Sequence, residues 1–215
     1  MNRVSGFLVL LLLTLTACGQ FERGVRTTSP DDIKGFWEKK VPEGEEFTGY
    51  TLKALIEHDR GLIASNPADA TEFCPTYPML DQNGRLAFWV ALVSGIAWRE
   101  SSFNPKSSYK EDMKSRDGSD IVSRGLLQIS LSSTRAYGCD FKDQDEVHDP
   151  QKNLECGVKM LNRLVLKDNR ISGQIPGMNG RARYLGAARY WHVMRPTGSL
   201  AKIRARMNEL EICKL

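Results

Sequence analysis

Glu100 is the residue of this chain best placed to move a proton. It closes the apolar stretch from Arg85 to Arg99 and opens the run Glu100-Ser101-Ser102-Phe103-Asn104-Pro105. At helical spacing Val93, Ile96, Ala97 and Glu100 share one face, so a carboxyl ends an otherwise apolar stripe. Partial burial favours the neutral acid, and so does the negative end of a helix dipole. A carboxylic acid that keeps its proton near neutral pH is what general-acid catalysis requires. The competing use of the same position is a surface glutamate paired with Arg99 or Lys106. Three more acids, Asp112, Asp117 and Asp120, fall in the polar stretch Lys106 to Val122. Of these, Asp117 precedes Gly118 and equally makes a turn pair. His58, His148 and His192 lack metal-ligand spacing, and no cysteine sits in a recognisable Cys/His arrangement, so neither zinc nor a catalytic thiol is expected. No cofactor is expected.

The elements that must hold Glu100 read as mostly helical. Leu52, Leu55, Ile56, Leu62 and Ile63 mark a first amphipathic helix ended by Asn66-Pro67, and Leu86 to Glu100 is the helix that carries the acid. Leu154, Val158, Leu161 and Val165 mark another over Asn153–Lys167, started by Asp149-Pro150. Gly157 inside it costs about 1 kcal/mol of helix propensity, which predicts close packing against a neighbour. Arg183 to Met194 and Leu200 to Leu210 are read as two further helices. Gly125–Ser130 is short, apolar and bounded by turn residues, and suits a strand or an irregular arm.

Three motifs in order give this pattern a resemblance. Glu100-Ser101-Ser102-Phe103-Asn104-Pro105 is followed by Gly125-Leu126-Leu127-Gln128. Then come Asp149, Pro150, Asn153, Leu154, Gly157 and Leu161. Together they resemble the soluble lytic transglycosylase (SLT) domain, a relative of goose-type lysozyme, over about Leu86 to Tyr190. The resemblance implies a mainly α (α+β, lysozyme-like) fold, with a helical bundle around a buried catalytic helix and a small irregular or β arm beside the cleft. It implies cleavage of the β-1,4 bond between N-acetylmuramic acid and N-acetylglucosamine in peptidoglycan glycan strands. Glu100 would act as general acid and then as base, forming 1,6-anhydro-muramyl ends. Ser101 would shape the site, Gln128 would bind sugar, and Tyr190 would contact the acid. The chain departs from the family where Tyr-Asn-Ala-Gly is usual, because Tyr190 is followed by Trp191-His192-Val193. Trp191 is a candidate for stacking on a sugar and equally for the core. Two alternatives stay open: a hydrolytic lysozyme using Glu100 with Asp117 or Asp120, and a wall-binding protein without catalysis.

The N-terminus points to export. One basic residue, Arg3, precedes the apolar run Phe7 to Leu13 and then Leu15-Thr16-Ala17-Cys18. This reads as a secretory signal, and its ending looks like a bacterial lipobox that would lipidate Cys18. Ordinary cleavage and an uncleaved anchor are the alternatives. Gly19 in place of Asp points to the periplasmic face of an outer membrane. The expected organisation is 1–18 signal and anchor, 19–46 polar tether and 47–215 domain, with Phe36 and Trp37 able to dock. Four cysteines then remain, an even number in an oxidising compartment. Cys139 with Cys156 and Cys74 with Cys213 is the expected pairing. A net charge of +4 suits an acidic wall polymer or plain solubility. With export expected, nucleic acid is not an expected partner; peptidoglycan and, through Cys18, a membrane are.

Overall fold

Helix α4 (Gln82–Ser101) forms the axis of the molecule. Asp81 caps its start, its carboxylate accepting from Gly84 N at 2.7 Å. From Leu86 to Ala97 every residue is buried, so the helix is apolar on all sides and must be surrounded. The computed structural model describes residues 27–57, 60–115, 117–177 and 180–215. Around α4 pack α1 (Gly44–Glu57), α2 (Arg60–Ala64), α6 (Pro150–Asp168) and α7 (Gly198–Asn208). The short helix α3 (Ala70–Phe73) rests on α7, and α5 (Leu131–Thr134) follows the arm described next.

The stretch after α4 forms a three-stranded antiparallel arm, β1 (Ser108–Lys114), β2 (Asp120–Arg124) and β3 (Ile129–Ser130), in that spatial order. Two more strands, β4 (Ser172–Pro176) and β5 (Ala182–Gly186), make a separate hairpin. The mainly helical architecture with a β arm is as expected, and the unassigned insert turns out to be that arm's first two strands.

Three expectations need correction. The first amphipathic helix begins at Gly44, well before Leu52, and is two helices either side of residues 58–59, which lie outside the described set together with His58. Arg183–Met194 is not a helix. Its first part is β5, and tight 3-10 turns follow at Ala187–Arg189 and His192–Met194. Gly186 causes the change: at φ +58° it packs so closely that a Cβ would lie 2.2 Å from Arg170 O and 2.5 Å from Ile171 O. Asp168 then accepts from Gly186 N and pairs with Arg189, fixing the turn to the end of α6. Third, the expected tether 19–46 is folded over its later half. Trp37 is fully buried, donates from its indole to Thr48 Oγ1 at 2.9 Å, and meets the rings of Phe47 and Phe103 edge-on. Thr28 N donates to Asp81 at 3.0 Å, and Phe36 N donates to Ser94 Oγ at 2.9 Å. Two large aromatics in a polar stretch repay burial more than the loop's polarity opposes it.

Both disulfides form in the expected pairing, Cys74–Cys213 and Cys139–Cys156. The first ties the chain's end to the region before α4; the second staples the loop after α5 onto α6. Cys18 and the apolar run before it lie outside the described residues.

Candidate active site

Glu100 sits in the last turn of α4, where the buried helix meets the arm. Its carboxyl is pushed up from 4.5 to about 7, first by burial and then by the charge of Glu111, while an N–H from Val193 partly offsets the rise. The helix ends just past it, with Ser102 and Phe103 both left-handed at φ +53° and +69°. Neither is glycine, so the turn is strained, as backbone beside functional groups often is. Phe103 is held there by burial against Trp37.

Glu111 is the site residue that sequence reasoning missed. It lies mid-β1, half-buried in a strand whose other positions are exposed. Ser123 on β2 donates its hydroxyl to Glu111 Oε1 at 2.6 Å. Between Lys110, paired with Val122, and Lys114, paired with Asp120, β1 carries two more residues than β2. Such a bulge re-aims side chains, and Glu111 is its first residue. The residues flanking the bulge point elsewhere. Asp120 accepts from Lys110 at 2.6 Å and from Lys114, which hold its carboxyl below the usual range. Asp117 caps its own turn through Ser115 and Ser119, and its carboxyl is lowered to about 2. Neither is directed at Glu100; Asp112 is exposed.

The turn Gly125–Gln128 is built from within the protein. Gly125, at φ +77°, leaves no room for a Cβ, which would lie 2.4 Å from Asn153 Nδ2 and 2.6 Å from Val147 O. Asn153, fully buried on α6, accepts from Leu127 N at 2.9 Å and donates to Arg124 O and Val147 O at 3.2 and 2.9 Å. Gly157 gives Leu127 its seat, since a Cβ there would approach Leu127 Cδ1 to 2.0 Å; the expected close packing is real. Replacing Asn153 by Ala removes three bonds and strands one N–H and two carbonyls, which predicts a loss of about 2–4 kcal/mol. Urea unfolding measures it, and an Asn153→Ala protein as stable as wild type would disprove this account of the turn.

The other expected site residues are mostly committed to internal bonds. Ser101 Oγ lies 2.8 Å from Leu126 O and 3.1 Å from Ala97 O, so it ties α4 to the turn instead of facing a ligand. Gln128, 7% exposed and left-handed at φ +47°, donates from Nε2 to Gly125 O at 2.9 Å and to Ser107 O at 3.1 Å. Its Oε1 is left without an internal partner among the described residues. The Tyr190 hydroxyl accepts from Ser130 N at 3.0 Å, and among the described residues no hydrogen bond joins it to Glu100. Val193 N–H takes that place. Trp191 is 2% exposed and donates from its indole to Leu127 O at 2.9 Å; it is a strut between the turn and the Val193 segment, not an exposed sugar platform. His148 ties Pro105 O to the same region through Nδ1 at 2.9 Å.

A half-buried acid near neutral pKa with a second carboxylate beside it suits acid–base cleavage of a glycosidic bond. The transglycosylase SLT domain family matches residues 81–177, which takes in Glu100, Glu111, the turn and α6. No curated protein sequence matches the chain. Among solved structures, the wild-type form 2 of DslA (Bd0314) is 38% identical, with a TM-score of 0.79 over 85% of this chain and 99% of its own. The chain belongs to the SLT transglycosylase family. Two DslA mutants, each with one glutamate changed to glutamine, match at 37% identity with the same TM-score and coverage. As an SLT-family member with a lysozyme-like fold, the chain is an enzyme of the peptidoglycan-cleaving, lytic-transglycosylase type. The family accounts for the motifs around Glu100, Gln128 and Asn153; after Tyr190, whose hydroxyl bonds Ser130 N, it is the backbone of Val193 that bears on Glu100.

Proposed function

We propose that the protein cleaves the β-1,4 bond between N-acetylmuramic acid and N-acetylglucosamine with two carboxyls, Glu100 as general acid and Glu111 as general base. Glu100 gives its proton to the leaving glycosidic oxygen as the bond to the anomeric carbon breaks. Glu111 takes a proton from a water whose oxygen bonds that carbon, so the product ends in a reducing sugar. The observation that carries this reading is that Glu111, at the bulge of β1, acts on Glu100 through its charge, whereas Asp117 and Asp120 are held by local turn and lysine contacts. The DslA mutants support it. Their two substituted glutamates stand eleven residues apart, the separation of Glu100 and Glu111. Gln128 contributes its free Oε1 as an acceptor for a sugar N–H or hydroxyl.

A second reading is favoured by the match to the transglycosylase family itself. There Glu100, once deprotonated, takes the proton of the muramic 6-hydroxyl and a 1,6-anhydro end forms without water. Mass spectrometry of fragments released from purified peptidoglycan separates the two. Reducing ends support the two-carboxyl reading; anhydro ends support the second; no fragments from wild type leaves a wall-binding protein.

The same proposal places the enzyme at a membrane, lipidated on Cys18 at the periplasmic face of the outer membrane. Cys18→Ala is expected to shift the protein from the membrane fraction to the soluble periplasm without changing its activity on isolated wall. Continued membrane fractionation of that variant would rule the anchor out.

A further inference from the structure

The arm presents two large apolar side chains that the fold does not use. Tyr109 is 57% exposed and Met113 is 71% exposed, both on β1 and two residues either side of Glu111. β1 is an edge strand, where exposed apolar side chains invite unwanted pairing, so natural edges tend to avoid them. Tyr109 lies directly opposite Ser123 in the β1–β2 register. Directly opposed residues share a sheet face, and Ser123 is the residue that holds Glu111. The ring of Tyr109 therefore stands on the face that bears the second carboxylate. Among the described residues it stacks on no other ring, and its hydroxyl makes no hydrogen bond.

We propose that Tyr109, with Met113 further along the same strand, is a sugar platform. The apolar face of an N-acetylhexosamine ring lies on the Tyr109 ring, one or more residues along the strand from the bond being cut, and steers that bond between Glu100 and Glu111. The inference rests on the glycan-cleaving reading above. The glycan is the occupant because the patch continues the acid–base face. It is also only two side chains wide, far below the roughly 1,000 Å² of a specific protein interface. A tyrosine ring offers a flat apolar face with a polar edge, which suits a sugar whose ring hydrogens and hydroxyls are segregated in the same way. Both side chains are exposed, so their replacement leaves the fold alone.

The test uses two readouts. Tyr109→Ala in the intact enzyme is expected to raise KM for isolated glycan strands about five- to tenfold with kcat within about twofold. Tyr109→Phe and Tyr109→Trp are expected to stay near wild type, and the pH profile to stay in place. The same substitution in a Glu100→Gln background is expected to weaken glycan binding, measured by calorimetry, by the same factor, and this readout does not depend on turnover. Unchanged binding in that background, or a Tyr109→Phe protein as weak as Tyr109→Ala, would overturn the platform. So would binding to anionic phospholipid vesicles that Tyr109→Ala abolishes while glycan binding persists. Wild type that binds glycan through Tyr109 but releases no fragments would instead overturn the cleavage reading and leave the platform standing.

Discussion

Glu100→Gln is expected to reduce fragment release by about three orders of magnitude or more, because general acid catalysis by a positioned group is typically worth 10²–10⁴. In wild type, kcat/KM should fall as pH rises through about 7, where Glu100 loses the proton it must donate. The same substitution should make the protein more stable, and only at higher pH. The folded-state pKa lies above the ordinary value of 4.5, so between 4.5 and 7 the native state holds a proton that the unfolded chain has released. Stability is therefore lost as pH rises through that window, by up to about 3 kcal/mol once it is passed. Glutamine carries no such loss and can still accept from Val193 N–H. Denaturant unfolding at pH 4 and pH 8 checks the sign. A Glu100→Gln protein that gains as much stability at pH 4 as at pH 8 would show that burial of the charge is not the cause.

Glu111→Gln is the second large effect, and it has two signatures. Removing its charge removes the second cause of the raised Glu100 pKa, so the descending limb of the pH profile moves to lower pH. With Glu111 as the base that activates water, turnover should also fall by about 10²–10³ at every pH. A variant that shows the shifted limb but keeps wild-type turnover at pH 5 would confine Glu111 to tuning Glu100 and would favour the anhydro-forming route. Asp117→Asn and Asp120→Asn serve as controls, because their carboxylates are held by local turn and lysine contacts.

Much of this site can be read from the chain, for definite reasons. Glu100 is conspicuous because a charge interrupts an apolar helix, and burial of that helix is a one-dimensional pattern. The pairs Asp149-Pro150 and Asn153/Gly157 mark α6 by capping and by packing, which are also local. Glu111 is illegible in the sequence because β1 shows no alternation of burial: one half-buried residue among six exposed ones leaves no periodicity to detect. The bulge that aims it depends on the count of residues in β2, not on the sequence of β1. The motif points Tyr190 at the acid, although the residues after it already depart from the family pattern. Its hydroxyl went to Ser130 N, sixty residues away in sequence, a choice made by tertiary packing alone. The segment Arg183–Met194 misled in a similar way, since Gly186 fits against α6 only as part of a hairpin.

The docking of Thr28 and Trp37 sets a length. Were Cys18 lipidated as proposed, ten residue steps would separate it from Thr28, which makes the first hydrogen bond to the folded body among the described residues. A fully extended chain of that length spans at most about 35 Å. A free tether reaching to residue 46 would have allowed nearly three times as much. An enzyme so anchored would work on a thin shell of wall next to its own membrane, and strands beyond that shell would have to come to it.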